Sequence, residues 1–188
     1  MTPTSNLILK PIPALNDNYI WCVINTLTSH CLIVDPGESE PVILFLNQYN
    51  LTLDTILITH HHYDHTNGVK ALINLYSTVN VYHPKEISFK KGECVREGLT
   101  LQLNGLAITL NVLDIPGHTL GHVAYYNNTW LFCGDTLFSI GCGRIFEGTY
   151  EMMYQSLQKL YQLPEHLLVC CGHEYTLDNI RFAKHLEP

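Results

Sequence analysis

The chain has 188 residues, enough for one domain, with 46% hydrophobic and only 14% charged side chains, a balance that excludes a disordered chain. A formal net charge of -7 argues against a broad basic surface for nucleic acid. No apolar run approaches the roughly 18 residues of a membrane-spanning helix, and the first ten residues lack the pattern of a signal peptide.

The first half alternates strand-like and helix-like segments. Runs rich in Ile, Val and aromatics predict strands over 19–26 and 31–35, with a turn at 26–30 between them. Asp35-Pro36-Gly37 stops the second run. Ser39 is placed to cap a helix that carries Pro41 in its first turn and runs to Tyr49. A short buried strand is predicted over 54–59, a helix over 67–76 with Val69, Leu72, Ile73 and Tyr76 on one face, and a strand over 79–82. The second half predicts strands over 106–115, 123–127 and 130–133, with Asn127-Asn128 as a hairpin turn. Thr149 caps a helix that ends before Pro164, and a strand over 167–171 and a helix over 177–185 complete the chain. This mixture predicts a layered α/β protein of one domain spanning 1–188, without fixing its topology.

Seven cysteines with no CxxC motif fit reduced thiols in a cytoplasmic enzyme better than a secreted disulfide framework. The unusual residue is histidine, of which there are 11. Four of them fall in Thr59-His60-His61-His62-Tyr63-Asp64-His65, between a buried strand and a helix. A strand-end loop can aim several side chains at one point, and His60 and His62 share parity. Chance would produce His-x-His-x-Asp-His in this composition only about 0.001 times. Imidazole and carboxylate together suit zinc, iron or manganese. His61 has the opposite parity and is expected to point away.

Three further candidates sit at strand ends, each after a glycine: His118 in 116–122, Asp135 in 133–136 and His173 in 171–175. Grouped with the first motif, they make two sets. His60, His62 and His118 would hold one divalent ion, and Asp64, His65 and His173 a second. Asp135 would bridge them, and Asp64 and Asp135 would be the carboxylates at the reacting centre. Such a pair of ions can share a hydroxide at neutral pH.

The words T-H-H-H-Y-D-H (59–65), P-G-H-T-L-G-H (116–122), C-G-D-T-L-F (133–138) and C-G-H-E-Y-T (171–176) resemble those of the metallo-β-lactamase superfamily. N-D-N-Y-I-W (16–21), I-V-D-P-G (33–37) and G-C-G-R-I-F-E-G (141–148) resemble its glyoxalase II, or hydroxyacylglutathione hydrolase, branch more narrowly. The resemblance covers essentially the whole chain. It implies a four-layer αββα sandwich with the metals at one edge. It implies the same seven ligands, a support role for Asp35 and His122, and glutathione contacts at Arg144, Phe146 and Tyr175. The family often has Tyr where Phe146 stands, which removes a hydroxyl. The implied substrate is a glutathione thioester such as S-D-lactoylglutathione, cleaved by a metal-bridging hydroxide. The implied ions are two, zinc foremost, with iron or manganese as alternatives. No nucleic acid or membrane partner is expected, and the chain is expected to be a monomer or weak dimer. Family members continue into a helical segment that also contacts glutathione, and this chain stops at Pro188. The low charged fraction fits a surface that such a segment or a partner would cover. Rival readings are a sister persulfide dioxygenase, with one iron on His60, His118 and Asp135, and a metal-bound scaffold without activity.

Overall fold

The runs richest in Ile, Val and Leu become central strands that are buried on both faces. The computed structural model describes residues 6–87, 89 and 91–186. The first half runs β1 (Leu7–Ala14), β2 (Asn18–Asn25), β3 (His30–Val34), α1 (Glu40–Tyr49), β4 (Thr52–Leu57), α2 (Tyr63–Thr66), α3 (Val69–Leu75), β5 (Asn80–Pro84) and β6 (Glu93–Val95). The second runs β7 (Thr100–Leu103), β8 (Ile108–Asp114), β9 (Val123–Tyr126), β10 (Trp130–Gly134), β11 (Leu137–Phe138), β12 (Gly141–Cys142), α4 (Tyr150–Tyr161), β13 (Leu168–Cys171) and α5 (Thr176–Leu186).

The first six strands form one sheet in sequence order. The β1, β2 and β3 neighbours are antiparallel, and the sheet is parallel from β3 to β6. The second sheet has the order β13-β10-β9-β8-β7, with only the β10–β13 pair parallel. In β3, Leu32 and Val34 face the second sheet, while Cys31 and Ile33 face the helices. Two faces of burial explain why β3 reads as a continuous apolar run rather than an alternation. Leu57, Val112, Tyr125 and Phe132 fill the space between the sheets. Val42 and Leu46 of α1, with Val69 and Leu72 of α3, cover the outer face of the first sheet. Leu160 of α4 packs on the outer face of the second. The result is the expected αββα sandwich. No described helix is long and apolar enough to cross a membrane.

Several predicted elements shift. The helix expected over 67–76 begins at Val69, behind a separate turn of helix, α2. Ser39 stands at the start of α1 but makes no side-chain cap bond, because its backbone is already helical (φ -85°, ψ -35°). Thr149 does cap α4, accepting from the Met152 amide at 3.2 Å. Leu106 is not in a strand; it lies in the tight turn before Ala107, whose φ is +55°. β1 carries no strand signal in the sequence, since Pro11 and Pro13 argue against a central strand. It is an edge strand, where two prolines of the same parity leave the shared ladder intact. No residue of α5 is buried, and Leu177, Phe182 and Leu186 are exposed.

Gly134 ends β10 with φ +49°, and a Cβ there would lie 2.4 Å from Thr59 Oγ1 and 2.8 Å from His122 Cε1. Gly98 also has positive φ, +85°, but a Cβ there would meet nothing within 4 Å. Gly98→Ala is therefore expected to cost only the backbone penalty, about 1–2 kcal/mol. Gly134→Ala should cost that and a further ~1–3 kcal/mol for the crowded contacts. Urea unfolding of the two variants measures the difference, and equal losses would contradict this account.

Candidate metal centre

Strand ends from both sheets meet at one edge of the sandwich. β4 runs out into 58–65, β8 into Pro116-Gly117-His118, β10 into Asp135 and β13 into Gly172-His173. This edge brings all seven predicted donors together. His60 Nε2 lies 3.1 Å from His62 Nδ1, which lies 3.0 Å from His118 Nε2. His65 Nε2 and His173 Nε2 are 3.3 Å apart, with Asp64 Oδ2 at 3.5 and 3.4 Å from them. Asp135 stands between the sets. Its Oδ2 is 3.4 Å from His118 Nε2 and 3.2 Å from His173 Nε2, and its Oδ1 is 3.4 Å from His65 Nε2. Gly172 makes this approach possible, since a Cβ there would lie 2.3 Å from Asp135 Oδ1.

The inward atoms are fixed from behind. Thr59 Oγ1 lies 3.0 Å from His60 Nδ1 and donates to Asp35 Oδ2. The same Asp35 oxygen lies 3.1 Å from His65 Nδ1. His118 Nδ1 donates to the Arg144 carbonyl at 2.6 Å, and His173 Nδ1 lies 2.8 Å from Asp17 Oδ1. Asn18 Nδ2 donates to Asp64 Oδ2 at 3.0 Å. The His122 ring stacks on His60 at 4.5 Å, and its Nε2 accepts from the Asp135 amide. Outer partners of this kind set which ring nitrogen faces a metal. The support expected from Asp35 and His122 is thus visible as contacts. The part played by Asp17 and Asn18 was not foreseen, although both belong to the N-D-N-Y-I-W word. His61 turns outward, as its parity predicts, to Glu147.

Burying so many polar groups costs several kcal/mol each unless they are paired. The two sets solve this differently. Burial and the neighbouring imidazoles hold His60 well below the usual histidine range. Burial also lowers His62 and His118, so this set offers free nitrogen lone pairs. For His65 and His173 burial opposes the charged ring, but the carboxylates around them win. Asp135, Asp35 and Asp64 carry His65 well above its ordinary value, and Asp135, Asp64 and Asp17 push His173 up to about 10. Burial opposes ionisation of Asp64 and Asp135 as well, yet the same imidazoles hold both well below the ordinary carboxylate range.

The donor set fits divalent ions. A tetrahedral ion with bonds of 2.0–2.1 Å separates its ligand atoms by about 3.3–3.4 Å, and five of the contacts within the two sets run from 3.0 to 3.5 Å, with His60 Nε2 4.0 Å from Asp135 Oδ2. Asp135 Oδ1 is buried without a hydrogen-bond partner, so it has capacity for a cation. His60, His62 and His118 could hold one ion and Asp64, His65 and His173 another, with Asp135 within 3.2–3.4 Å of nitrogens of both sets.

A cavity of about 450 Å³ opens over this centre. Arg144, Phe146 and Tyr175 line it, together with Tyr63 and Phe138. Phe146 packs edge-on to His62 and His118, and Arg144 Cζ sits 5.0 Å above its ring. Phe146 is 58% exposed, so it is a wall of the mouth rather than part of the core. The Tyr175 ring stacks on His173 at 4.9 Å.

Residues 17–173 match the family model described as the metallo-beta-lactamase superfamily. A hydroxyacylglutathione hydrolase of Serratia proteamaculans is 51% identical over 181 residues, covering 96% of this chain and 71% of that protein. Among solved structures, the BLEG-1 B3 metallo-beta-lactamase superposes with a TM-score of 0.80 at 27% identity, over 89% of this chain and 92% of its own. ETHE1 from Myxococcus xanthus superposes with a TM-score of 0.80 at 28% identity, over 89% and 76%. The chain therefore belongs to the metallo-beta-lactamase superfamily and, within it, to the hydroxyacylglutathione hydrolases.

Metal uptake should release protons, because His65 and His173 hold theirs at neutral pH in the metal-free protein. A raised pKa means the proton is present below about 10 at His173 and must be displaced. Zinc affinity is therefore expected to rise with pH between 6 and 8, by about tenfold per unit for each displaced proton. Calorimetry in buffers of different ionisation heat reads this directly. A pH-independent affinity would contradict it.

Proposed function

We propose that this chain hydrolyses thioesters of glutathione with 2-hydroxy acids, S-D-lactoylglutathione being the reference substrate. The observation that carries the reading is the seven-donor centre in a chain 51% identical to a hydroxyacylglutathione hydrolase. The proposed cofactors are two divalent ions, zinc foremost, with iron or manganese as alternatives. The free state of all seven cysteines fits a cytoplasmic setting.

Divalent ions bound here would supply a water of lowered pKa and polarise the thioester carbonyl. The chain's residues do the rest. Asp64 and Asp135 remain ionised and balance cationic charge in a buried place. Asp17, Asp35 and the Arg144 carbonyl keep the inward nitrogens of His173, His65 and His118 aimed at the centre. Phe146 and Tyr175 wall the mouth with rings, an apolar surface beside the reacting carbonyl. Arg144 places a cation there to receive a glutathione carboxylate. No serine or cysteine lies among the residues lining the cavity, so no hydroxyl or thiol nucleophile of the serine- or cysteine-hydrolase kind is offered. Water activated by bound ions would serve as the nucleophile, and a thiol of pKa about 8.5 is a competent leaving group without a strong general acid.

The test is thiol release from S-D-lactoylglutathione by zinc-reconstituted protein, set beside oxygen uptake with glutathione persulfide. Thiol release without oxygen uptake supports the reading, and the reverse pattern overturns it in favour of a dioxygenase. Two variants refine it. Asp135→Asn is expected to lower kcat by about a hundredfold or more, because the carboxylate common to both sets is lost. Arg144→Ala leaves the backbone carbonyl on His118 and is expected to raise KM about tenfold with a smaller change in kcat. The penalty should shrink at high salt, as screening weakens the lost attraction.

A further inference from the structure

Two carboxylates outside the donor set, Glu86 and Glu147, join the loops that carry the first three histidines. Glu86 follows β5 and is half-buried. Its Oε1 accepts from the His61 amide at 3.1 Å and from Thr119 Oγ1 at 2.8 Å. Its Oε2 accepts from the Gly121 amide at 2.6 Å. Glu147 accepts from His61 Nε2 at 2.5 Å with Oε1 and from the Leu120 amide at 3.0 Å with Oε2. The Leu120 amide, set against partial burial, and His61 together draw the Glu147 carboxyl below the usual range, so it is an ionised acceptor. His61 is thus gripped at both ends, by its amide and by its ring.

The placement is specific. His61 lies between His60 and His62, and Thr119, Leu120 and Gly121 follow His118 directly. Gly121 is needed for the contact, since a Cβ there would lie 2.5 Å from Glu86 Oε2. A carboxylate presents acceptors only, so one group can draw N–H and O–H donors from two loops at once. Neither glutamate has a contact of this kind with Asp64, His65 or His173, whose rear partners are Asn18, Asp35 and Asp17.

We propose that Glu86 and Glu147 are positioning residues, which clamp the 60–62 loop to the 118–121 loop and set the His60, His62 and His118 nitrogens for one ion. The proposal rests on the metal-ligand assignment of the preceding reading, not on the choice of substrate. It makes the two ion affinities separable by substitution.

The test is competition between the 188-residue chain and a zinc-binding fluorescent chelator, with no substrate present. Glu86→Gln is isosteric but turns one acceptor into an NH2 donor that faces donors. It is expected to weaken one of the two zinc affinities on the order of tenfold or more and to leave the other unchanged. Asp17→Asn, behind His173, should weaken the other affinity, and the double variant both. Glu147→Gln, at the exposed side of the clamp, should act on the same affinity as Glu86→Gln, so the result does not depend on one variant folding. A Glu86→Gln protein with both affinities unchanged, or both lowered equally, would overturn the proposal. Because no turnover is measured, failure of wild-type thioester hydrolysis would count against the functional reading alone.

Discussion

Strand ends from two separate sheets reach the same edge, and every feature of the site depends on that coincidence. Apolar packing between the sheets enforces it. Tyr125, fully buried between them, sends its hydroxyl from the second sheet to the Ile58 carbonyl of the first, just before Thr59. The interior therefore fixes the spacing of the two rims. Histidines 60 to 65 come from one rim, and His118, Asp135 and His173 from the other. Neither sheet alone carries a complete donor set.

Charge then organises what packing has gathered. Buried imidazoles and carboxylates without counterparts would unfold the edge, since each would cost several kcal/mol. Here the rings of His60, His65, His118 and His173 and the Asp64 carboxylate each have a partner behind them, while Asp135 Oδ1 has His65 beside it but no hydrogen-bond partner. The first set is neutral and the second is held as carboxylates with raised histidines. Both are states from which a divalent ion can take over, by direct coordination in one case and proton displacement in the other.

The sequence revealed the donors more clearly than their supports. His60, His62, Asp64 and His65 lie within one loop, so parity and spacing are enough to group them. His118, Asp135 and His173 each follow a strand and a glycine, a pattern visible only once the first motif suggests a centre. The supports lack such a signal. Asp17 reaches His173 across 156 positions, and Glu86 reaches Gly121 across 35, so only the packed structure pairs them. The αββα layers came from resemblance, because alternating strands and helices do not fix which strands share a sheet. β1 stayed hidden behind its two prolines, and α2 is a single turn too short to have a period. Phe146 reads equally well as core or mouth in sequence, and its exposure decides for the mouth.

We propose that two donor sets sharing one carboxylate form a single hydrolytic centre. The most direct test adds zinc stepwise to the metal-free protein, with bound zinc and S-D-lactoylglutathione hydrolysis measured on the same samples. Turnover is expected to rise to a plateau at two bound ions per chain. Full activity at one ion, or two bound ions with no hydrolysis, would contradict it.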